Sequence, residues 1–143
     1  MNLFFDTSAL FKLYHNEEGT DELMNFFKES SVKVIFLSEV TEIEFSSAVW
    51  KKCRKGEINE HLAKIIIEKF DNDSVKFRFV PQTFGLRKLA KNLIAKYWSE
   101  GLRTLDSIQL ASALSVKEDT DIFLTFDKLL ADVAVQEGMN VEL

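Results

Sequence analysis

Met1-Asn2-Leu3-Phe4-Phe5-Asp6-Thr7-Ser8-Ala9-Leu10 opens the chain as an apolar run that stops at an aspartate and is followed at once by helix-starting residues. A second run, Ile122-Phe123-Leu124-Thr125-Phe126-Asp127, ends the same way near the far end of the 143 residues. Short, continuous apolar runs read as strands covered on both faces, the habit of a parallel sheet. In such a sheet, groups at the carboxyl ends of adjacent strands line the crevice where ligands bind. Asp6 and Asp127 are therefore candidates for one pocket. Carboxylates crowded together repel, and a hard divalent cation is the usual remedy.

Between the two runs, strands and helices alternate. Val32 to Leu37 reads as a second strand and Val75 to Val80, ended by Pro81, as a short third one. Thr7 and Ser8 offer capping hydroxyls to a helix with Leu10, Phe11 and Leu13 inward. After Gly19, Leu23, Met24, Phe26 and Phe27 give a buried stripe. A helix capped by Ser38 or Thr41 carries Val40, Ile43, Ser47, Val49 and Trp50 and ends in Lys51, Lys52, Arg54, Lys55 and Gly56. Cations in a last turn and a glycine beyond it are stop signals. Asn59 to about Phe70 forms another helix. Leu86, Leu89, Ala90, Leu93, Ile94, Tyr97 and Trp98, three and four apart, mark the clearest amphipathic helix, closed by Gly101. Asp106 begins a helix with Ile108, Leu110, Ala111, Ala113 and Leu114 inward. Its small residues Ala111, Ser112, Ala113 and Ser115 predict close approach to a sheet or neighbouring helix. Asp127 caps a last helix through Leu130, Val133 and Ala134, Gly138 stops it, and Val141 to Leu143 adds an edge strand. The alternation predicts an α/β fold, a three-layer α/β/α sandwich around a central, mainly parallel sheet, as one domain over residues 1–143.

Composition narrows the classes. Hydrophobic residues make up 46% and charged residues 29%, which excludes a disordered chain, and the 13 phenylalanines must largely be core. A net charge of −5 is no footprint for coating nucleic acid, but it leaves open a nuclease with an acidic pocket and a local basic patch. The single cysteine, Cys53, excludes an intramolecular disulfide and a cysteine-cluster zinc site. No run reaches the roughly 18 apolar residues of a membrane span, and the N-terminus lacks a signal-peptide pattern, so a cytoplasmic protein without membrane contact is expected. No P-loop or dinucleotide fingerprint occurs among the five glycines. Ser8 has no triad partner, His15 and His61 are isolated, and Asp71 and Asp73 lack the Glu of an EF-hand because Gln82 stands there.

Two further acids occur where a pocket needs them. Glu44 lies one turn into the helix after the second strand, beside Phe45, and a carboxylate among apolar neighbours is costly to bury unless paired or metal-bound. Asp106 follows Leu105 at a helix start. Read singly, Asp106 and Asp127 are ordinary N-caps and Asp6 is a turn residue. Read together, two strands that each end in Asp ask for a joint explanation.

Phe5-Asp6-Thr7-Ser8, the stretch from Ser38 through Glu44 to Ala48, Leu102-Arg103-Thr104-Leu105-Asp106-Ser107-Ile108-Gln109-Leu110-Ala111-Ser112-Ala113, and Leu124-Thr125-Phe126-Asp127 resemble, in order, the four motif blocks of PIN-domain ribonucleases. Each block alone is weak; four in order across the chain are specific. Spacing and length are most similar to VapC-type toxins of toxin–antitoxin pairs. The resemblance implies a metal-dependent endoribonuclease with Asp6, Glu44, Asp106 and Asp127 as its acidic quartet, supported by Ser8 and Thr125. It also implies a homodimer and a VapB-like antitoxin that covers the acidic pocket. Glu42 is an alternative to Glu44 on another helix face, and the family interval from Ser38 to Ala48 favours Glu44. Gln109 stands where many relatives carry His, a difference expected to be of little consequence.

The residue types match that chemistry. All-oxygen donors select Mg²⁺ or Mn²⁺ over zinc, and such an ion promotes attack of water on an RNA phosphodiester without a covalent enzyme intermediate. Lys51, Lys52, Arg54 and Lys55 read most simply as a solvated helix end. Their functional version is a phosphate-contacting patch of which Lys51 and Lys52 are the candidate RNA contacts, together with Arg103. Two other classes compete: a catalytically quiet PIN-like module that binds RNA or protein, and an α/β phospho-acceptor domain. The latter expects adjacent acids at the first strand end, where Asp6 stands alone.

Overall fold

Alternating strands and helices close into a five-stranded, all-parallel sheet in the order β3-β2-β1-β4-β5, shown by the computed structural model, which describes residues 1–142. The strands are β1 (Asn2–Phe5), β2 (Val34–Ser38), β3 (Arg78–Val80), β4 (Ile122–Leu124) and β5 (Val141–Glu142). The helices are α1 (Thr7–Tyr14), α2 (Thr20–Glu29), α3 (Thr41–Arg54), α4 (Glu60–Asp73), α5 (Phe84–Tyr97), α6 (Thr104–Ser115) and α7 (Lys128–Gln136). No helix among the described residues is long and apolar enough to cross a membrane.

Side chains alternate across each strand, so every apolar run feeds two cores. Leu3, Phe5, Leu37 and Leu124 pack on one face beneath α1 to α4, while Phe4, Phe36 and Phe123 pack on the other beneath α5 to α7. That double cover is why the strands read as unbroken apolar runs. The small residues of α6 bring it against β2, where Ser112 Oγ meets Ser38 Oγ at 2.9 Å.

Several local expectations shift. The third strand holds only Arg78–Val80, because β2 offers partners to those three residues alone; Ser74–Lys76 is a 3₁₀ turn, and Val75 is 89% exposed. The second strand begins at Val34 and runs through Ser38. Helix α3 turns Thr41, Phe45 and Val49 inward at four-residue spacing, which leaves Ile43 74% exposed. In α2 only Leu23 is fully buried and Met24 is exposed. Helix α6 starts at Thr104, so Asp106 is its third residue rather than its first. The last strand contains Val141 and Glu142; Leu143 lies outside the described residues.

Phe45 is the centre of the α1–α3–α4 layer. Its ring lies 4.4 Å from that of Phe70, 5.5 Å from Tyr14 and 5.8 Å from Phe11. Aromatic clusters at these separations add to area burial. Phe45→Ala is expected to cost about 3–5 kcal/mol in urea unfolding, the range for emptying a buried aromatic site. A loss below about 1 kcal/mol would mean that this layer is not the packed core described.

Candidate active site

Strand β1 sits between β2 and β4, with Phe5 in register with Leu37 on one side and Leu124 on the other. The strand order reverses direction here: the chain leaves β1 towards β2 and β3, and later returns to β4 and β5. Such a switch point opens a crevice beyond the carboxyl ends of the strands. Asp6 and Thr125 are the residues immediately after Phe5 and Leu124, so both sit at its floor.

Asp6 is 3% exposed and fully engaged. It is the N-cap of α1: Oδ1 accepts from Ala9 N–H at 2.9 Å and from Ser8 Oγ–H at 2.7 Å. Oδ2 accepts from Thr125 Oγ–H at 2.5 Å. The sequence assigned this cap to Thr7 and Ser8. Instead Ser8 clasps the carboxylate and accepts from Phe126 N–H at 3.0 Å, while Thr125 Oγ1 accepts from Asp127 N–H at 3.0 Å. Ser8 and Thr125 thus tie the ends of β1 and β4 together around one buried charge.

Asp127 is exposed at the mouth and caps α7 by accepting from Leu130 N–H at 3.0 Å. Asp106, half-buried, accepts from Arg103 N–H at 3.3 Å. Glu44, also half-buried, faces α6 and accepts from Gln109, whereas Glu42 is exposed. Gln109 is the residue sequence reasoning undervalued. Buried on α6, one turn beyond Asp106, its Nε2 donates among Glu44 Oε1 at 2.8 Å, Thr41 Oγ1 at 2.9 Å and Thr7 Oγ1 at 3.1 Å. It joins α6, α3 and α1 at the segments that carry three of the acids, and its Oε1 is buried without a partner. The available signal was its i+3 position after Asp106, which puts both residues on one helix face.

The acids sense one another. Burial pushes the Asp6 carboxyl from the ordinary 3.8 up to about 6, against the bonds from Thr125, Ala9 and Ser8, and the Asp127 charge pushes the same way. Burial also raises Glu44, with Asp106 adding to it and Gln109 and Thr7 opposing. Asp106 is raised by burial and by Asp127, against its bond from Arg103 N–H. An electrostatic chain therefore runs Glu44–Asp106–Asp127–Asp6. Among the described residues no three of these carboxylates converge closely enough to chelate an ion by themselves. The set suits Mg²⁺ or Mn²⁺ on other grounds: all donors are oxygens, burial disfavours the charged forms of Asp6, Glu44 and Asp106, and Mg²⁺ typically uses one or two carboxylates and keeps its waters.

Comparison with known families places this geometry. The PIN domain sequence profile matches residues 3–136. The chain belongs to the PIN-domain family. No match was found among curated protein sequences. Among solved structures, the PIN fold of this chain is similar to that of the toxin VapC20 of Mycobacterium tuberculosis, with a TM-score of 0.72 at 14% identity over 96% of this chain and 95% of that one. FitAcB of Neisseria gonorrhoeae matches with a TM-score of 0.71 at 12% identity over 99% and 96% of the two chains. VapBC2 of Rickettsia felis, bound to a promoter DNA fragment, matches with a TM-score of 0.67 at 12% identity over 99% and 98%.

Around this PIN crevice the candidate basic contacts divide. Arg103 and Lys51 are exposed. Lys52 is not a free cation, since it pairs with Glu17 at 3.1 Å and Glu57 at 3.0 Å. His61 is exposed, while His15 is partly covered against Phe11.

The raised Asp6 carboxyl makes stability depend on pH. Below about pH 4 the group is protonated in both states; as pH rises the unfolded chain loses its proton first, so stability falls until about pH 6. The rise from 3.8 to about 6 corresponds to about 3 kcal/mol as a ceiling. In EDTA, Asp6→Asn is therefore expected to unfold at higher urea than wild type at pH 7.5, with the gain vanishing towards pH 4. An equal difference at both pH values would contradict the burial argument.

Proposed function

We propose that this PIN domain is a Mg²⁺- or Mn²⁺-dependent endoribonuclease and the toxin of a toxin–antitoxin pair, with Asp6, Glu44, Asp106 and Asp127 as its acidic site. The observation that carries the reading is the buried Asp6 carboxylate at the switch point, within electrostatic reach of Asp127, which in turn acts on Asp106. The neighbours in fold support it: VapC20 is described as a Sarcin-Ricin loop cleaving toxin, and VapBC2 shares the Vap name and is described as bound to a DNA fragment of its promoter. A protein antitoxin, a homodimeric assembly and a cytoplasmic location belong to the same reading.

A bound divalent ion would supply Lewis acidity at the scissile phosphate and a water of lowered pKa. The chain's residues do the rest. Asp6, buried and held by Ser8, Thr125 and Ala9, would be the anchoring carboxylate. Asp127, exposed, and Asp106, half-buried, would help hold the ion together with Asp6. Glu44, oriented by Gln109, would orient the attacking water. Water adds to phosphorus, one ester oxygen leaves and takes up a proton, and no protein atom becomes bonded to the RNA.

One observation favours the quiet binding module as the second reading: no three carboxylates converge among the described residues. Cleavage of a structured RNA by the purified protein separates the two. Activity should require Mg²⁺ or Mn²⁺, and Asp6→Asn should lower it on the order of 100-fold or more, since even outer partners of metal ligands cost about 10–100-fold. Persistent cleavage in EDTA would sink the metal mechanism, and RNA binding without cleavage in Mn²⁺ would select the quiet module.

A further inference from the structure

Glu17, in the loop between α1 and α2, sits between two ammonium groups. Its Oε1 accepts from Lys12 Nζ at 2.7 Å, and its Oε2 lies 3.1 Å from Lys52 Nζ. Exposed ion pairs hold long side chains loosely and contribute little. This one differs: the side chains are only 10% (Lys12), 22% (Glu17) and 27% (Lys52) exposed. Each lysine also has an anchor besides Glu17. Lys12 Nζ lies 4.4 Å from the centre of the Phe126 ring, and Lys52 Nζ lies 5.6 Å from that of Phe11 and 3.0 Å from Glu57. The two cations keep their places if Glu17 swings away.

They face a cavity of about 360 Å³ that adjoins the acidic crevice. Thr7 and Ser8 line it, Ser8 donates to Asp6, and the ring beneath Lys12 belongs to Phe126, between Thr125 and Asp127. Four lysines (Lys12, Lys51, Lys52 and Lys55) and two glutamates (Glu17 and Glu57) line this cavity, leaving +2 locally in a chain of net −5. Glu17 presents two oxygens on one carbon, each to its own ammonium, as a phosphodiester presents two non-bridging oxygens on one phosphorus. Its backbone is fixed independently. Glu17 N–H donates to Thr20 Oγ1 at 3.0 Å, and Gly19, at φ +94°, packs so tightly that a Cβ there would lie 2.5 Å from Phe126. Only a side-chain rotation is needed to vacate the seat.

We propose that Glu17 is an internal stand-in for an RNA backbone phosphate, occupying a seat formed by Lys12 and Lys52 beside the acidic crevice, so that RNA must displace it to bind. The inference rests on the nuclease reading of the crevice. Its consequence is a self-competing charge that weakens RNA binding, because each bound phosphate there exchanges for a displaced carboxylate.

The test is fluorescence anisotropy with a short, fluorescein-labelled single-stranded RNA, in EDTA and in the Asp6→Asn background so that no cleavage intervenes. Glu17→Gln should tighten binding about fivefold at low salt. It should also steepen the plot of log Kd against log salt by about 0.7, the increment for one more effective phosphate contact on a single strand. Lys12→Gln and Lys52→Gln should each weaken binding severalfold, a second readout that stands if Glu17→Gln folds poorly. Unchanged or weaker binding with an unchanged slope in folded Glu17→Gln, or lysine variants that bind as the parent does, would overturn the proposal. Metal-dependent cleavage by the wild type alongside such a result would leave the nuclease reading intact; absence of cleavage would remove that reading instead.

Discussion

The structure depends on how one carboxylate is buried. Asp6 is taken out of water at the end of the central strand, and its oxygens are satisfied by Ala9, Ser8 and Thr125, from its own helix start and from the neighbouring strand 119 positions away. A buried charge is tolerated only when its lone pairs are met. Here the partners impose geometry in return: β1 and β4 must end in matching register, or Thr125 cannot reach. The bonds that keep Asp6 in place, through Ser8 to Phe126 and through Thr125 to Asp127, also fix where the next acid stands.

The opposite wall of the crevice is built the same way from helices. Gln109 spans from α6 to Glu44 and to Thr7 and Thr41, so α1, α3 and α6 meet through one amide. The close approach of α6 to β2 at Ser112 and Ser38 brings that amide within reach, and only small side chains permit the approach. What remains unsatisfied is informative. The Asp6, Glu44 and Asp106 carboxyls are raised by burial, with Asp127 adding to Asp6 and Asp106 and Asp106 adding to Glu44; among the described residues none of the three forms a salt bridge, and the Arg103 charge offsets only Asp106. A site whose negative charge is only partly compensated is suited to a hard cation with its waters.

The sheet was legible because its strands are buried on both faces: Leu3 to Phe5 and Ile122 to Leu124 leave no other reading. Helical periodicity was legible in Leu86, Ala90, Leu93 and Tyr97 of α5, all buried, but Trp98 falls past the helix end in a 3₁₀ turn and is 74% exposed. The errors fall where long-range contacts decide. Val75 has strand propensity but no partner on β2. Ile43 is apolar, yet the inward face of α3 is chosen by Phe45 and its ring neighbours. Asp6 rather than Thr7 or Ser8 caps α1, because the hydroxyl of Ser8 is committed to the carboxylate and to Phe126. Gln109 looked incidental, since its partners are 65 to 102 positions distant and no local pattern announces them. Lys52 reads as a free helix-end cation until Glu17 and Glu57 are seen beside it.

The central claim is that Asp6 and Asp127 share one cation site rather than serving only as helix caps. Calorimetric titration of Mn²⁺ into the wild type, Asp6→Asn, Asp127→Asn and the double variant tests it most directly. A shared site predicts that each single substitution weakens binding at least about tenfold and that the double variant loses less than the sum, because residues of one site are not additive. Unchanged Mn²⁺ affinity in either single variant, or strictly additive losses, would contradict it.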